Sequence, residues 1–187
     1  MIYLLENPEG YPQRDLARML LAYGLYQEYQ IRERAVIQTA PLGKPYLPEY
    51  PQIHFNYSHS REGILCGIHT EEIGVDIERI IPCKERLAAR VCHPNELRLL
   101  KGSQDRDRMM TAIWTAKESY VKYLGTGIRS DLRQIDLSGA LTEHELMGEC
   151  YLHSLIEENY GICVCCPDRH MLLKRVTLEM IKHPDTE

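Results

Sequence analysis

Four features are missing from this chain, and each absence removes a class of explanation. Among Cys66, Cys83, Cys92, Cys150, Cys163, Cys165 and Cys166 no C-x-x-C pair occurs outside the apolar run 161–166. An odd number of scattered cysteines argues against both a disulfide framework and a zinc knuckle. Cys163, Cys165 and Cys166 lie in the apolar run GICVCC, which reads as a buried strand whose thiols serve as small hydrophobes in a reducing cytoplasm. The opening residues show no basic segment followed by a long apolar core, and the longest apolar stretch, 19–26, is interrupted by Gly24. Neither a signal peptide nor a membrane-spanning helix is expected. Positive charge is not in excess: 22 Lys and Arg face 27 Asp and Glu, a net charge of −5, so nothing in the total neutralises a run of nucleic-acid phosphates. Any anion site must be local. Finally, neither the G-x-x-x-x-G-K-[ST] phosphate loop nor a kinase-like glycine loop is present.

What remains is the composition of a folded protein, 44% hydrophobic and 26% charged over 187 residues, enough for one domain or two of about 90 residues each. Leu16, Met19, Leu20 and Tyr23 fall at helical spacing and predict an amphipathic helix over 13–34, ending before the Pro/Gly-rich stretch 40–51. Strands are expected at 53–58, 63–69 and 73–78, then helices at 84–91, 94–101 and 105–124, the last closed by Gly125. Further strands are expected at 134–137, 150–155, 161–167 and 172–180. The stretch after Ser58 (SHSREGILCGI) echoes the one after Ser154 (SLIEENYGICVC), each a serine, a polar turn and an apolar strand. Such an echo is what two similar halves leave behind. The expected fold is therefore α+β, a pseudo-dimeric duplication of two α/β halves, 1–80 and 81–187.

Chemistry enters with Gly74-Val75-Asp76-Ile77-Glu78. Strict alternation sends Val75 and Ile77 to a core and projects Asp76 and Glu78 from the other face. Residues two apart on a strand are about 6 to 7 Å apart, close enough for both carboxylates to reach one hard cation. An exposed strand face with solvated acids gives the same spacing. In Trp114-Thr-Ala-Lys117-Glu118-Ser-Tyr-Val-Lys122, Glu118 and Lys122 are four apart on one helix face, which taken alone is an ordinary surface pair. The neighbouring Ile113, Trp114 and Val121 give that helix a buried side able to fix where Glu118 points. Upstream, Gly43-Lys44-Pro45 and Asn56-Tyr57-Ser58-His59-Ser60 place an ammonium, hydroxyls and an imidazole beside turns, groups that suit phosphate oxygens.

The order GKP, FNYSHS, GVDIE, WTAKESYVK resembles the 4′-phosphopantetheinyl transferases of the surfactin-synthetase-activating type, over about 42–128. That resemblance implies a pseudo-dimer of two α/β halves with the active site at their junction, and an enzyme that moves the 4′-phosphopantetheine of coenzyme A onto a serine of an apo acyl or peptidyl carrier protein, releasing 3′,5′-ADP. It also implies Asp76, Glu78 and Glu118 as Mg²⁺ ligands, with Lys44, Ser58, His59, Lys117 and Lys122 around coenzyme A. Glu118 or a metal-held water would be the base. Arg18 resembles the family's arginine that meets the 3′-phosphate from the first helix, although the chain begins close to that helix without the longer lysine-bearing segment of larger relatives. Lys84, Arg86, Arg90 and Arg98 form a local basic patch where, in the resembled family, an acidic carrier docks, and Leu87, Ala88 and Val91 are expected to add apolar contact. A monomer is expected because a duplicated chain already supplies both halves of an interface, and a cytoplasmic setting from the free cysteines. Three other readings stay open: a coenzyme-A-binding module without activity, a different Mg²⁺-dependent phosphotransferase, and a carrier-binding structural subunit.

Overall fold

The computed structural model of the chain describes residues 1–6, 10–127, 131–143 and 146–184. In chain order the elements are β1 (Ile2–Glu6), α1 (Gln13–Tyr29), β2 (Gln38–Thr39), β3 (Pro45–Tyr46), β4 (His54–His59), β5 (Gly63–His69) and β6 (Gly74–Arg79). Then follow α2 (Glu85–Val91), α3 (Pro94–Gly102), α4 (Arg106–Leu124), α5 (Ser138–Glu143), β7 (Tyr151–Ile156), β8 (Tyr160–Cys166), β9 (Leu173–Val176) and α6 (Leu178–Lys182). No described helix is long and apolar enough to cross a membrane.

A β-α-β-β unit occurs twice. In the first, β1 pairs antiparallel with the second strand of the β4–β5 hairpin, giving the order β4-β5-β1. In the second, β6 pairs with the second strand of the β7–β8 hairpin, giving β7-β8-β6. The hairpin turns close alike, the Ser60 N–H bonding to Gly63 O and the Glu157 N–H to Tyr160 O. The sequence echo thus marks equivalent hairpins. Strand β9 returns to add a parallel edge to β1, and α6 packs its Ile181 into the core beneath α1.

The layers run α1, first sheet, second sheet, α4. Residues alternate between two cores, as period two requires. Tyr3, Leu5, Ile64 and Cys66 pack with α1, while Ile2, Leu4 and Leu65 meet Val75, Ile77, Ile162 and Val164 between the sheets. This arrangement corrects the expected boundary after residue 80. Strand β6 belongs to the second sheet, so the units divide between His69 and Gly74, and β9 and α6 rejoin the first unit.

Other departures have local causes. Helix α1 stops at Tyr29 because Gln30 takes a left-handed φ of 57° and its N–H closes on Tyr26 O. The expected strand at 134–137 is instead a 3-10 turn, Leu132–Gln134, and an extended connection. Strand β9 ends at Val176, where the Thr177 hydroxyl accepts from the Met180 N–H and starts α6. Strand β1 was not foreseen, because four consecutive buried residues, Ile2 to Leu5, carry no alternation to read.

One contact fixes the second unit. A Cβ added at Gly74 would stand 2.0 Å from Ser119 O and 2.4 Å from Tyr123 N, both backbone atoms of α4. The helix therefore lies directly on β6 at its first residue, and only glycine permits this approach. Gly74→Ala is expected to cost about 3 kcal/mol of unfolding free energy in denaturant titration. Gly102→Ala, where a Cβ meets nothing within 4 Å, should stay within about 1 kcal/mol of the parent. Equal behaviour of the two would show that α4 does not rest on β6.

Candidate active site

Strand β6 turns Val75 and Ile77 into the inter-sheet core and Asp76 and Glu78 toward α4, as its alternation predicts. No backbone ladder joins β4 to β6, but side chains lock them, since Asn56 Oδ1 accepts the Val75 N–H at 3.1 Å. That lock brings Ser58 beside Asp76, and its hydroxyl donates to Asp76 Oδ1 at 2.8 Å. From α4, one turn beyond Glu118, the Lys122 ammonium reaches the same place. It donates to Asp76 Oδ1 at 2.6 Å, to Ser58 Oγ at 3.1 Å and to Val75 O at 3.1 Å. Three elements from both units therefore converge on one ammonium.

The acids around it are crowded and dry. Asp76 and Glu118 are buried and Glu78 is half-buried. Burial pushes the Glu118 carboxyl above the usual carboxylate range, and the neighbouring Asp76 charge adds to the shift. Glu78 is raised by the same two causes, with a smaller contribution from Glu118. Asp76 Oδ2 and Glu118 Oε1 are buried without a hydrogen-bond partner, which is costly for carboxylate oxygens. As the side chains stand, no three His, Cys, Asp or Glu side chains among the described residues are grouped tightly enough to hold a metal. Lys122 occupies one oxygen of Asp76 instead.

A cleft of ≈ 470 Å³ opens in front of this cluster, with Glu118 and Lys122 in its wall. Arg14 and Arg18 enter it from α1, and Lys44 from the turn between β2 and β3. Four cations thus line one cavity of a net-acidic chain. The Nε of Arg18 is also buried without a partner. Tyr57 of the FNYSHS run lines the cleft as well; Arg14, which also lines it, belongs to no motif, although it stands four residues before Arg18 and so on the same helix face.

Of the expected site residues, the structure gathers Asp76, Glu78, Glu118, Lys122 and Ser58, and places Lys44 and Arg18 in the cleft wall. His59 is exposed at the end of β4 and lies outside the cleft lining. Lys117 is a correction. Its ammonium is fully buried away from the cleft, 2.8 Å from Glu96 Oε2 and donating to Leu132 O at 2.8 Å and Ile135 O at 2.5 Å. Glu96 completes the cluster by accepting the His93 and Leu137 N–H groups. One residue along a helix is a rotation of about 100°, so with Glu118 facing the cleft, Lys117 faces the α3 side and acts as a brace. The patch on α2 and α3 also differs in part, since Arg86, Arg90 and Arg98 are exposed but Ala88 and Val91 are buried in the core.

Residues 72–165 match the 4′-phosphopantetheinyl transferase superfamily, called ACPS. The 4′-phosphopantetheinyl transferase gsp of Aneurinibacillus migulanus is 33% identical over 123 residues, which are 62% of this chain and 51% of that protein. The 4′-phosphopantetheinyl transferase Sfp of Bacillus subtilis (strain 168) is 27% identical over 160 residues, 80% of this chain and 71% of the other. HetI, a 4′-phosphopantetheinyl transferase of a Nostoc species, is 35% identical over 108 residues, 55% of this chain and 45% of its own. This chain thus spans from under half to about seven-tenths of the length of these relatives.

The raised Glu118 carboxyl has a consequence for stability. A carboxyl whose value in the fold lies above its unfolded value of about 4.3 favours folding while protonated, and loses that contribution as pH rises through the folded value. Glu118→Gln should therefore melt higher than the parent at pH 8, and the advantage should vanish near pH 4. A parent that melts higher than Glu118→Gln at pH 8, in metal-free buffer, would contradict the buried-acid description.

Proposed function

The chain belongs to the 4′-phosphopantetheinyl transferase superfamily, and from that premise we propose that it transfers the 4′-phosphopantetheine of coenzyme A to a serine of an apo acyl or peptidyl carrier protein, releasing 3′,5′-ADP. The observation that carries this reading is the convergence of Arg14, Arg18, Lys44 and Lys122 on a cleft whose wall includes Glu118. Coenzyme A brings a diphosphate and a 3′-phosphate, and ammonium and guanidinium groups bind such oxygens through charge-assisted hydrogen bonds. Gly125 and Gly127 in the same wall keep it low beside Lys44.

Asp76, Glu78 and Glu118 are not grouped tightly enough to hold a metal while Lys122 occupies Asp76, but they are the residues that would hold a magnesium ion once that contact is released. Their donors are all oxygen, and two of those oxygens are buried with no partner, which a hard cation satisfies. When bound, magnesium would neutralise charge developing on the 5′-phosphate of the departing 3′,5′-ADP and polarise the phosphorus under attack. The chain's own groups do the rest. Lys122 leaves its internal contacts with Asp76 and Ser58 available for exchange with phosphate oxygens. Glu118, with its raised proton affinity, accepts the proton of the carrier serine as that oxygen bonds to phosphorus and the bond to 3′,5′-ADP breaks. Arg86 and Arg90, exposed and one turn apart on α2, offer an acidic carrier a positive docking edge. The seven free thiols suit a cytoplasmic site of action, and two units in one chain suit a monomer that sediments at the mass of a single chain.

The test is to incubate the protein with coenzyme A, Mg²⁺ and an apo carrier, then weigh the carrier. A gain of the phosphopantetheine mass is expected, lost on chelation and lost in a folded Asp76→Ala variant. Coenzyme A bound without any gain in carrier mass would instead favour a binding module, and phosphate moved to another acceptor would favour a different phosphotransferase. In the same assay, Arg86→Glu with Arg90→Glu should raise the carrier KM and weaken its dependence on salt while leaving coenzyme A binding as it was. An unchanged carrier KM would move the docking edge elsewhere.

A further inference from the structure

Lys44 differs from the other cleft cations in what holds it. Its ammonium pairs with Glu72, in the connection just before β6, and donates to Tyr123 O at the end of α4 at 2.8 Å. Its stem lies over the helix cap, where a Cβ on Gly125 would come 3.1 Å from Lys44 Cδ. Lys44 also lines two cavities, the main cleft and a smaller one of ≈ 220 Å³ behind it. Glu72 and His54 line only the smaller one. The other Glu72 oxygen, Oε1, stands 3.3 Å from His54 Nδ1. The Lys44 ammonium therefore sits in the wall between the two, drawn toward a carboxylate on the side away from the cleft.

The two lysine pairs at the site contrast. Asp76, which holds Lys122, is 3% exposed, whereas Glu72, which holds Lys44, is 48% exposed. A pair with one half-exposed partner is weakened because water and salt compete for that carboxylate. A phosphate carries more charge than a carboxylate and presents more acceptor oxygens.

We propose that Glu72 is a positioning residue that occupies Lys44 in place of a ligand phosphate, so that a nucleoside phosphate entering the cleft takes the Lys44 ammonium from Glu72. Glu72 thereby keeps Lys44 ordered while the cleft is empty, and it lowers the affinity for bound nucleotide by competing for the same donor. The competition works on coenzyme A entering and on 3′,5′-ADP leaving. This inference rests on the reading of the cleft as a coenzyme A site.

Calorimetric titration of coenzyme A into the full chain, without carrier, tests it. Glu72→Gln keeps the side-chain shape but removes the competing charge, and should tighten binding by roughly two- to fivefold, the range of an exposed pair. Lys44→Ala should weaken binding, and adding Glu72→Gln to Lys44→Ala should change nothing further, because the competed donor is gone. Unchanged or weaker binding in Glu72→Gln, or tightening that persists without Lys44, would overturn the proposal while leaving the proposed function standing. Failure of the parent chain to bind coenzyme A would instead overturn that function, and this inference with it. A purely structural role for Glu72 predicts lower melting temperature and weaker binding in Glu72→Gln, opposite in sign to the expectation.

Discussion

The site depends on one ammonium. Lys122 stands where β4, β6 and α4 meet, bonded to Ser58, Val75 and Asp76. Around it are two buried carboxylates and a third that is half-buried. Such a concentration of negative charge is unfavourable in a dry setting, and its strain is visible in the raised proton affinity of Glu78 and Glu118. A single lysine compensates part of it. The remaining charge is a cost that the ligand-free fold carries, and it is removed only by protons or by a cation. A fold that tolerates this arrangement must be held firmly elsewhere, and the contact of α4 with Gly74 and the Lys117–Glu96 brace supply that hold.

The duplication shows where the acids came to stand. Matching the two hairpin turns makes Cys66 equivalent to Cys163. Their strand partners are Tyr3 and Asp76. Two residues on, Leu5 is equivalent to Glu78, opposite Ile64 and Gly161. In the first unit these positions fill the core beneath α1 with Tyr3 and Leu5. In the second unit the same two positions, facing the other helix, hold the acid pair. The inward-facing positions did not diverge in this way, since Ile2 and Leu4 match Val75 and Ile77 and all four pack in one core. One face of the strand keeps the sandwich together, and the other is free to become a core or a site.

Much of this was legible in the residues because it is periodic. The alternation of Gly74 to Glu78 and the four-residue spacing of Glu118 and Lys122 placed the cluster. Gly125 ended α4 as expected, with a φ of 66°. What escaped reading was what depends on partners distant in sequence. Strand β1 is apolar on both faces because α1 covers one and the second sheet the other, so it has no period. Lys117 resembled a ligand-facing lysine because its partner Glu96 lies 21 positions upstream on another helix, and only the packing of α3 on α4 turns it inward. The boundary after residue 80 failed for a similar reason. The run 73–78 follows directly on the first hairpin, and pairing with β8, more than 80 residues later, is what assigns it to the second unit.

The division of labour between the units explains why the site needs both. Asp76, Glu78, Glu118 and Lys122 all come from the second unit, which residues 72–165 of the family match span. Arg14, Arg18, Lys44 and Ser58 come from the first. Neither set makes the site alone, because the acids without the arginines and Lys44 face an open cavity with one cation, and the cations without the acids line a basic cleft with no carboxylate beside it. The Asn56–Val75 and Ser58–Asp76 hydrogen bonds are the short bridge that sets the distance between the two sets. Their geometry is inherited from the inter-sheet packing of Leu65 against Val75 and Ile77. The position of the cleft is therefore a property of the sandwich interface, and residues remote from the cleft decide how far its cations stand from the acid cluster.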